Sequence, residues 1–349
     1  MSLMHELLMN NQDIWDLFTR KEEYSPEKLD EHQRFLFSEE DQRNASEPEV
    51  SRYLMKHGMQ VEFPENKSFA VCLTHDVDDV YPPLSHSLLS SAYGLKHLDL
   101  KDSVAQLIWK LRGIDYSPYL NFSKIMDIEA SFGAKSSFYF ITAEADPVRF
   151  RYNLEDIEDH LGEISDRGWE VGLHGGYYSY DNPEEVKKEK DRLESILGKK
   201  VIGFRNHYLR FKTPDSWEFL ADAGFGYDST FGHRYSVGFR NGMCHPFTPY
   251  NLNTEKEIDI LEIPLVVMDV ALFATSKSFE EAWERTKNLI DITASLNGVI
   301  TLLWHSFIFS CNFRNDWMRL YEKALHYCSG KGAWMTSGEE IYRWWRDGV

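Results

Sequence analysis

From Phe69 onward the chain alternates short apolar runs with long charged amphipathic segments, and few folds can absorb that rhythm. The runs are rich in β-branched and aromatic residues. They are 69–74 (FAVCLT), 137–142 (SFYFIT), 170–173 (EVGL), 201–204 (VIGF), 225–229 (FGYDS), 261–267 (LEIPLVV) and 299–304 (VITLLW), with 333–335 (AWM) a shorter eighth. Between them lie helix-like stretches such as 183–197 and 278–296, the first carrying a lysine–glutamate run that reads as a solvated helix face. Near-continuous apolar strands that each give way to a helix indicate a parallel sheet covered on its faces. Seven or eight such repeats over roughly 280 residues suit a closed or nearly closed barrel. The expected fold is therefore α/β, a distorted (β/α) barrel of about seven parallel strands. Two insertions interrupt it, one from Tyr81 to about Leu120 and one from Phe231 to Asn253.

Residues 1–65 are polar and charged, with helical spacing at Leu7, Ile14, Leu17 and Phe18 and again at Phe35 and Leu36. They are read as a helical N-terminal extension lying on a barrel domain that spans 66–349. The run from Ser46 to Gly58 predicts one more helix with Ser46 as N-cap, and Phe63-Pro64-Glu65-Asn66 a turn.

Composition narrows the function. A net charge of −18 argues against an electrostatic grip on nucleic acid or an anionic membrane. It fits a neutral substrate or one held through a metal. The first fifteen residues lack a basic segment followed by an apolar one, so no secretory signal is read there. The most apolar stretch, Val299 to Phe309, is half the length of a membrane span and contains His305. Cys72, Cys244, Cys311 and Cys328 form no C-x-x-C pair and read as reduced, buried thiols. Together these features predict a cytoplasmic protein with no membrane span and a small-molecule or glycan substrate.

In such barrels the residues just after the strands build the active site. Here the first strand ends in Thr74-His75-Asp76-Val77-Asp78-Asp79, the third in His174, the fourth in Arg205-Asn206-His207 and the seventh in Trp304-His305-Ser306. Four strand ends thus bring carboxylates, imidazoles and a guanidinium to one rim. Asp76 and Asp78 are two apart, so in an extended segment they project to the same side. Carboxylates beside imidazole nitrogens suit a divalent metal such as Zn²⁺. With one aspartate on the metal, the other can take a proton from the activated water.

The ordered set resembles the polysaccharide deacetylase family, the NodB homology fold. Thr74-His75-Asp76-Val77-Asp78 is similar to its first motif, Thr-Phe-Asp-Asp, and His174 falls where its second motif begins. Gly203-Phe204-Arg205-Asn206-His207-Tyr208 resembles its Arg-x-Pro-Tyr motif. Asp228-Ser229-Thr230 resembles the segment after its fifth strand, and Leu302-Leu303-Trp304-His305 its late Leu-x-His motif. The resemblance covers roughly residues 68–345. Position by position, it implies Asp76 as general base, Asp78 and His174 as metal ligands, Arg205 as the residue that holds the base ionised and oriented, and His305 as general acid. A backbone N–H near Tyr208, with the metal, would stabilise the oxyanion.

Two departures stand out. Val77 splits the family's adjacent aspartates, so the ligand is Asp78 or Asp79, and the same-side argument favours Asp78. The second histidine expected four residues after His174 is Tyr178. A third ligand must then come from His207, which occupies the family's proline position, from His245, from Asp79 or from water.

His75 is read as a supporting or packing residue. Tyr177, Tyr178, Tyr208 and Trp304 are candidates for stacking on sugar rings, while Trp334, Trp344 and Trp345 belong to the closing helix and strand. No phosphate-binding glycine loop and no G-x-S-x-G nucleophile elbow is present. The expected reaction is metal-dependent hydrolysis of a C–N bond, N-deacetylation of an amino sugar or glycan precursor. The alternatives are hydrolysis of a non-sugar amide or cyclic ureide on the same fold, and a degenerate barrel that only binds carbohydrate. A glycosidase would need two acids about 5–10 Å apart on separate strand ends, yet the rim is richer in histidine than in carboxylates.

Overall fold

The computed structural model describes residues 2–38, 45–98 and 100–348. Its strands are β1 (Ala70–Val77), β2 (Ser137–Ile141), β3 (Glu170–Gly175), β4 (Gly203–Asn206), β5 (Tyr227–Asp228), β6 (Tyr250–Asn251), β7 (Lys256–Glu257), β8 (Leu261–Glu262), β9 (Leu265–Met268), β10 (Val299–Leu303) and β11 (Trp334–Thr336). Apart from the antiparallel β6–β7 hairpin they form one parallel sheet in the order β8-β5-β4-β3-β2-β1-β10-β9. The two ends of that order are consecutive in the chain. The predicted sixth run is one strand broken at Ile263-Pro264. Its first half bonds to β5 and its second half to β10. Proline lacks the N–H that an unbroken ladder needs. The ring thus has seven stations, as expected. β11 is an accessory that shares an edge of β1 with β2, pairing Ala70–Cys72 while β2 pairs Thr74–Val77.

Alternation along β1 sorts its side chains. Val71, Leu73 and Val77 join the core between sheet and helices, while Ala70 and Cys72 enter a second cluster with Tyr139, Tyr227, Leu261 and Val299 inside the ring. The C-terminal helix, Gly338–Gly348, closes that cluster with Ile341. Two steps further along the same face come Thr74 and Asp76, so the apolar plug gives way to polar groups at the C-terminal end of the strands.

The surrounding helices follow local signals. Helix Pro183–Leu197 starts with Asn182 accepting a hydrogen bond from Glu185 N, carries proline in its first turn, and stops at Gly198 in a left-handed conformation. Helix Phe279–Ser295 is capped by Ser278. The first insertion is a helical hairpin, Leu84–Lys96 and Leu100–Arg112, whose first helix buries Ser87, Ser90, Ser91 and Gly94 and exposes leucines.

The N-terminal residues depart from the expectation in two places. Helices form at Leu3–Met9, Gln12–Thr19 and Glu49–Lys56, but the residue at the N-cap of the last of these is Pro48 and not Ser46. Phe35 and Leu36 are not helical. The Asp30 carboxylate accepts from His32 N at 2.8 Å and Arg34 N at 2.9 Å, and this local bonding replaces a helical turn. The segment is docked by buried contacts, among them Glu23 with Arg240 at 2.6 Å and Ser51 N with Gly242 O at 3.0 Å. Leu8, Trp15, Phe18, Val50 and Leu54 belong to the same apolar core as the helical layer. All four cysteines are buried and unpaired. Among the described residues no helix is long and apolar enough to cross a membrane.

Candidate metal centre and active site

Asp76, Asp78, His174, His207 and His305 line one cleft of about 220 Å³ at the C-terminal end of the strands. Arg205 lies beneath it, fully buried over the Tyr139 ring at 4.7 Å. Its Nε donates to Ser229 O at 2.8 Å and its Nη2 to Ser229 Oγ at 2.9 Å. Its Nη1 donates to Thr74 Oγ1 at 2.8 Å and Asp76 Oδ1 at 3.1 Å. A planar fork from β4 that bridges the ends of β1 and β5 fixes the Asp76 carboxylate in place.

Donor chemistry decides what fits above it. His174 Nδ1 lies 2.9 Å from Arg205 O, an atom that only accepts, so Nδ1 carries a proton and Nε2 is the nitrogen turned into the cleft. His207 turns Nε2 toward Asp146 Oδ2 at 3.4 Å and Nδ1 toward His174 Nε2 at 3.1 Å. Asp78 Oδ1 lies 3.2 Å from His174 Nε2 and 3.4 Å from His207 Nδ1, and it is buried with no hydrogen-bond partner. Ligand atoms around a zinc- or magnesium-sized ion sit roughly 3.0–3.6 Å apart, given metal–ligand bonds of about 2.0–2.2 Å. The N₂O triangle has that size. Among the described residues Asp78, His174 and His207 are the one group of three or more His, Cys, Asp or Glu donors close enough to share an ion. Burial opposes charge on Asp78, but His207, His174 and His305 hold its carboxyl well below the usual range. Burial likewise opposes charge on His207, and Asp78 and Asp146 raise its pKa.

The other wall carries His305. Its Nε2 lies 3.7 Å from Asp78 Oδ2, while Nδ1 and the backbone N–H donate to Asp269 at 2.7 and 2.9 Å. Burial pulls the imidazole pKa down, yet Asp269, with Asp78 and Asp76, lifts it to about 9. Sequence reasoning missed Asp269, although it is the first residue after β9 and obeys the same strand-end rule. It also missed Arg151 and Asp146, in the loop after β2, where Arg151 Nε meets Asp146 Oδ2 at 3.1 Å.

Other candidates lie elsewhere. His245 is at the opposite end of β10, bonded to Ser51 Oγ at 2.9 Å and Leu296 O at 3.1 Å, and contributes nothing to the cleft. Asp79 turns away from the triangle to Arg149 at 2.7 Å and Arg151 at 3.4 Å. His75 points into the helical layer, where its nitrogens meet Trp304 O and Glu129 at 2.7 and 2.8 Å. Tyr178 is 53% exposed and cannot take the place of a ligand histidine. Tyr208 is at the cleft and Trp304 is buried in the core.

No protein-family model and no curated protein matches the sequence. Solved structures do. An assigned polysaccharide deacetylase of Mycobacterium smegmatis superposes with TM-score 0.54 at 17% identity, over 82% of this chain and 93% of that one. An assigned glycoside hydrolase/deacetylase of Parabacteroides distasonis gives TM-score 0.50 at 11% identity, over 81% and 72%. The chain has the polysaccharide deacetylase fold. At these identities the likeness concerns architecture, and the chemistry must come from the cleft itself. Within the deacetylase fold, this chain's third candidate donor comes from the end of β4 rather than from the turn after β3.

Proposed function

We propose that this protein is a divalent-metal-dependent amide hydrolase that removes N-acetyl groups from an amino sugar or glycan. The observation that carries the reading is the pairing, in one cleft, of the Asp78–His174–His207 donor triangle with a carboxylate, Asp76, and an imidazole, His305, that can move protons. Asp76 is fixed by Arg205 and has the role of general base. His305, backed by Asp269, is charged at neutral pH and has the role of general acid. A divalent ion held by the triangle would polarise the acyl carbonyl and lower the pKa of the attacking water; zinc is the ion we favour.

The chain's own groups supply the rest. Asp76 takes the proton from the water as it adds to the acyl carbon. The Nε2–H of His305 delivers a proton to the amide nitrogen, so that acetate and the free amine separate. Asp269 keeps the imidazolium oriented through Nδ1. The pairing of an acid and a base also favours catalysis over a barrel that only binds carbohydrate. Acetate release without release of reducing sugar would support the reading over a glycosidase.

The test is metal content and acetate release from N-acetylated chito-oligosaccharides. Dialysed wild type is expected to hold about one divalent ion per chain, and His174→Ala and His207→Ala to lose it, as removal of one of three ligands from such sites does. His245→Ala is expected to keep it. Wild type that binds no divalent ion under any loading condition would sink the proposal.

A further inference from the structure

Arg234 lies on the loop after β5, where the catalytic cleft meets a second cavity of about 60 Å³. Leu209 and Arg234 line both, and Phe35 and Phe37 of the N-terminal segment cover the smaller one. The neighbouring arginines are committed: Arg34 to Asp30 at 2.6 Å, Arg240 to Glu23 at 2.6 Å, and Arg151 to Asp146 at 3.1 Å. Arg234 is not. Among the described residues no carboxylate pairs with it and no hydrogen bond reaches its guanidinium; its ring neighbour is Tyr235, at 5.6 Å. Burial and the nearby Arg34 work against its charge and outweigh the more distant support of Tyr235, Asp269 and Tyr208, so a cation is held half-buried without a carboxylate in contact.

Two further polar groups beside it are unmet. His233 is 5% exposed, yet among the described residues neither ring nitrogen finds a hydrogen-bond partner, and nor does the buried Ser236 Oγ. Burial, then Arg240 and Arg20, push the His233 pKa down to about 3, so the ring is neutral with one N–H to give. A guanidinium fork, an imidazole N–H and a hydroxyl therefore line the same small cavity with nothing to donate to. The shared ligand chemistry for such donors is an oxyanion. Long-range attraction cannot supply anion binding in a chain of net charge −18, so it has to come from a local site of this kind.

We propose that Arg234, with His233 and Ser236, forms an oxyanion subsite beside the cleft, and that the substrate is an N-acylated sugar bearing a carboxylate or phosphate. The inference rests on the hydrolase reading for where the amide lies, but the anion contact is separately measurable.

The experiment is calorimetric binding to metal-loaded Asp76→Asn protein, which keeps ligands intact. The probes are N-acetylglucosamine, its 6-phosphate, its uronic acid counterpart and inorganic phosphate. At least one anionic sugar should bind about tenfold or more tighter than the neutral one, the worth of a charge-assisted bond. Arg234→Gln should abolish that preference while leaving neutral-sugar affinity within about twofold, and Arg234→Lys should keep part of it. Preference for phosphate or for carboxylate identifies the group and supports the proposal either way. Equal affinity for neutral and anionic sugars, a preference that survives Arg234→Gln, or no binding of any anion overturns it. Acetate release from wild type is read in parallel. Its absence alongside an Arg234-dependent anion preference would condemn the hydrolase reading and spare the subsite.

Discussion

Replacing Asp269 with asparagine should convert a broad pH profile into a narrow one. Asp269 accepts two hydrogen bonds from His305 and is the largest of the influences that raise the imidazole pKa to about 9. If a cation neutralises Asp78, Asp269 is the carboxylate in contact that remains. In the variant the raising influence is lost while burial persists, so the pKa falls to about 6.5 or below. Near pH 8 about nine-tenths of wild-type His305 is protonated, against about 3% in the variant, a ratio of about 30 in available acid. Near pH 6 the ratio shrinks to about 1.3. Asparagine also turns an amide N–H₂ toward the His305 backbone N–H, which lowers activity at every pH. The diagnostic is therefore the shape of the kcat profile for acetate release, not its height. The alkaline limb should move from about pH 9 to about pH 6.5 or lower. A limb that stays in place would refute the assignment of His305 as the acid tuned by Asp269. Stability follows the same sign. A folded pKa above the unfolded value of about 6.5 gives stabilisation that is full below about pH 6.5 and fades as pH rises through about 9. In melting curves, the gap between wild type and Asp269→Asn should narrow over that window.

Arg205→Lys should lower kcat by about 10²-fold or more and cost about 2–4 kcal/mol, because one ammonium cannot span the four acceptors that Arg205 now serves; kinetics with thermal melts check both. Glu129→Gln should cost about 3 kcal/mol, since a carboxylate that meets His75, Ser136, Trp169 and Tyr321 would turn an N–H₂ toward groups that donate. Metal content should be unchanged, and its loss would show that His75 acts on the site after all. Arg34→Ala should weaken metal affinity by about tenfold in chelator competition, because Arg34 Nη1 donates to Tyr208 O at 2.7 Å and steadies the bend beside His207.

The barrel and the rim were legible in the sequence for reasons that are local. Strands buried on both faces read as apolar runs, and the two-residue period predicts that Asp76 and Asp78 project to the same side, where both line the cleft. Strand boundaries were less legible. The fourth run, 201–204, forms a strand at Gly203–Asn206, because pairing to Leu173, His174 and Gly175 carries it past its apolar part. Asp269 went unseen because the proline break divides the sixth run, and the strand that delivers the aspartate is only its second half. Arg151, Asp146 and Arg234 sit on loops without periodicity, and only the tertiary fold brings them to the cleft. His245 is a candidate third ligand by residue type alone, yet its loop closes on the N-terminal helix Glu49–Lys56 instead.

The displaced third donor has a structural cause. No Cβ can be accommodated at Gly175, against Phe204 and Asn206, or at Gly176, against Ala143 and Glu189. The turn beyond is tied to helix Pro183–Leu197, with Gly176 N donating to Glu189 Oε2 at 2.9 Å and Ser179 Oγ bonding Gly176 O at 2.7 Å. A chain so anchored sends Tyr178 outward, where it is 53% exposed. The ligand proposed in its place, His207, comes from β4, whose exit through Tyr208 and Leu209 has φ of 61° and 52°, a left-handed course that costs non-glycine residues roughly 1–2 kcal/mol each. Such a bend persists only where neighbours hold it. Here Arg34 grips the Tyr208 carbonyl and Arg210 donates to His32 O at 2.8 Å, while Asp146 takes the far nitrogen of His207 and turns Nδ1 toward His174. The proposed third ligand is therefore positioned by the N-terminal segment, the β2 loop and β4 together. A motif confined to one strand end could not encode it, and a barrel stripped of residues 25–38 should bind its ion poorly even with Asp78, His174 and His207 intact.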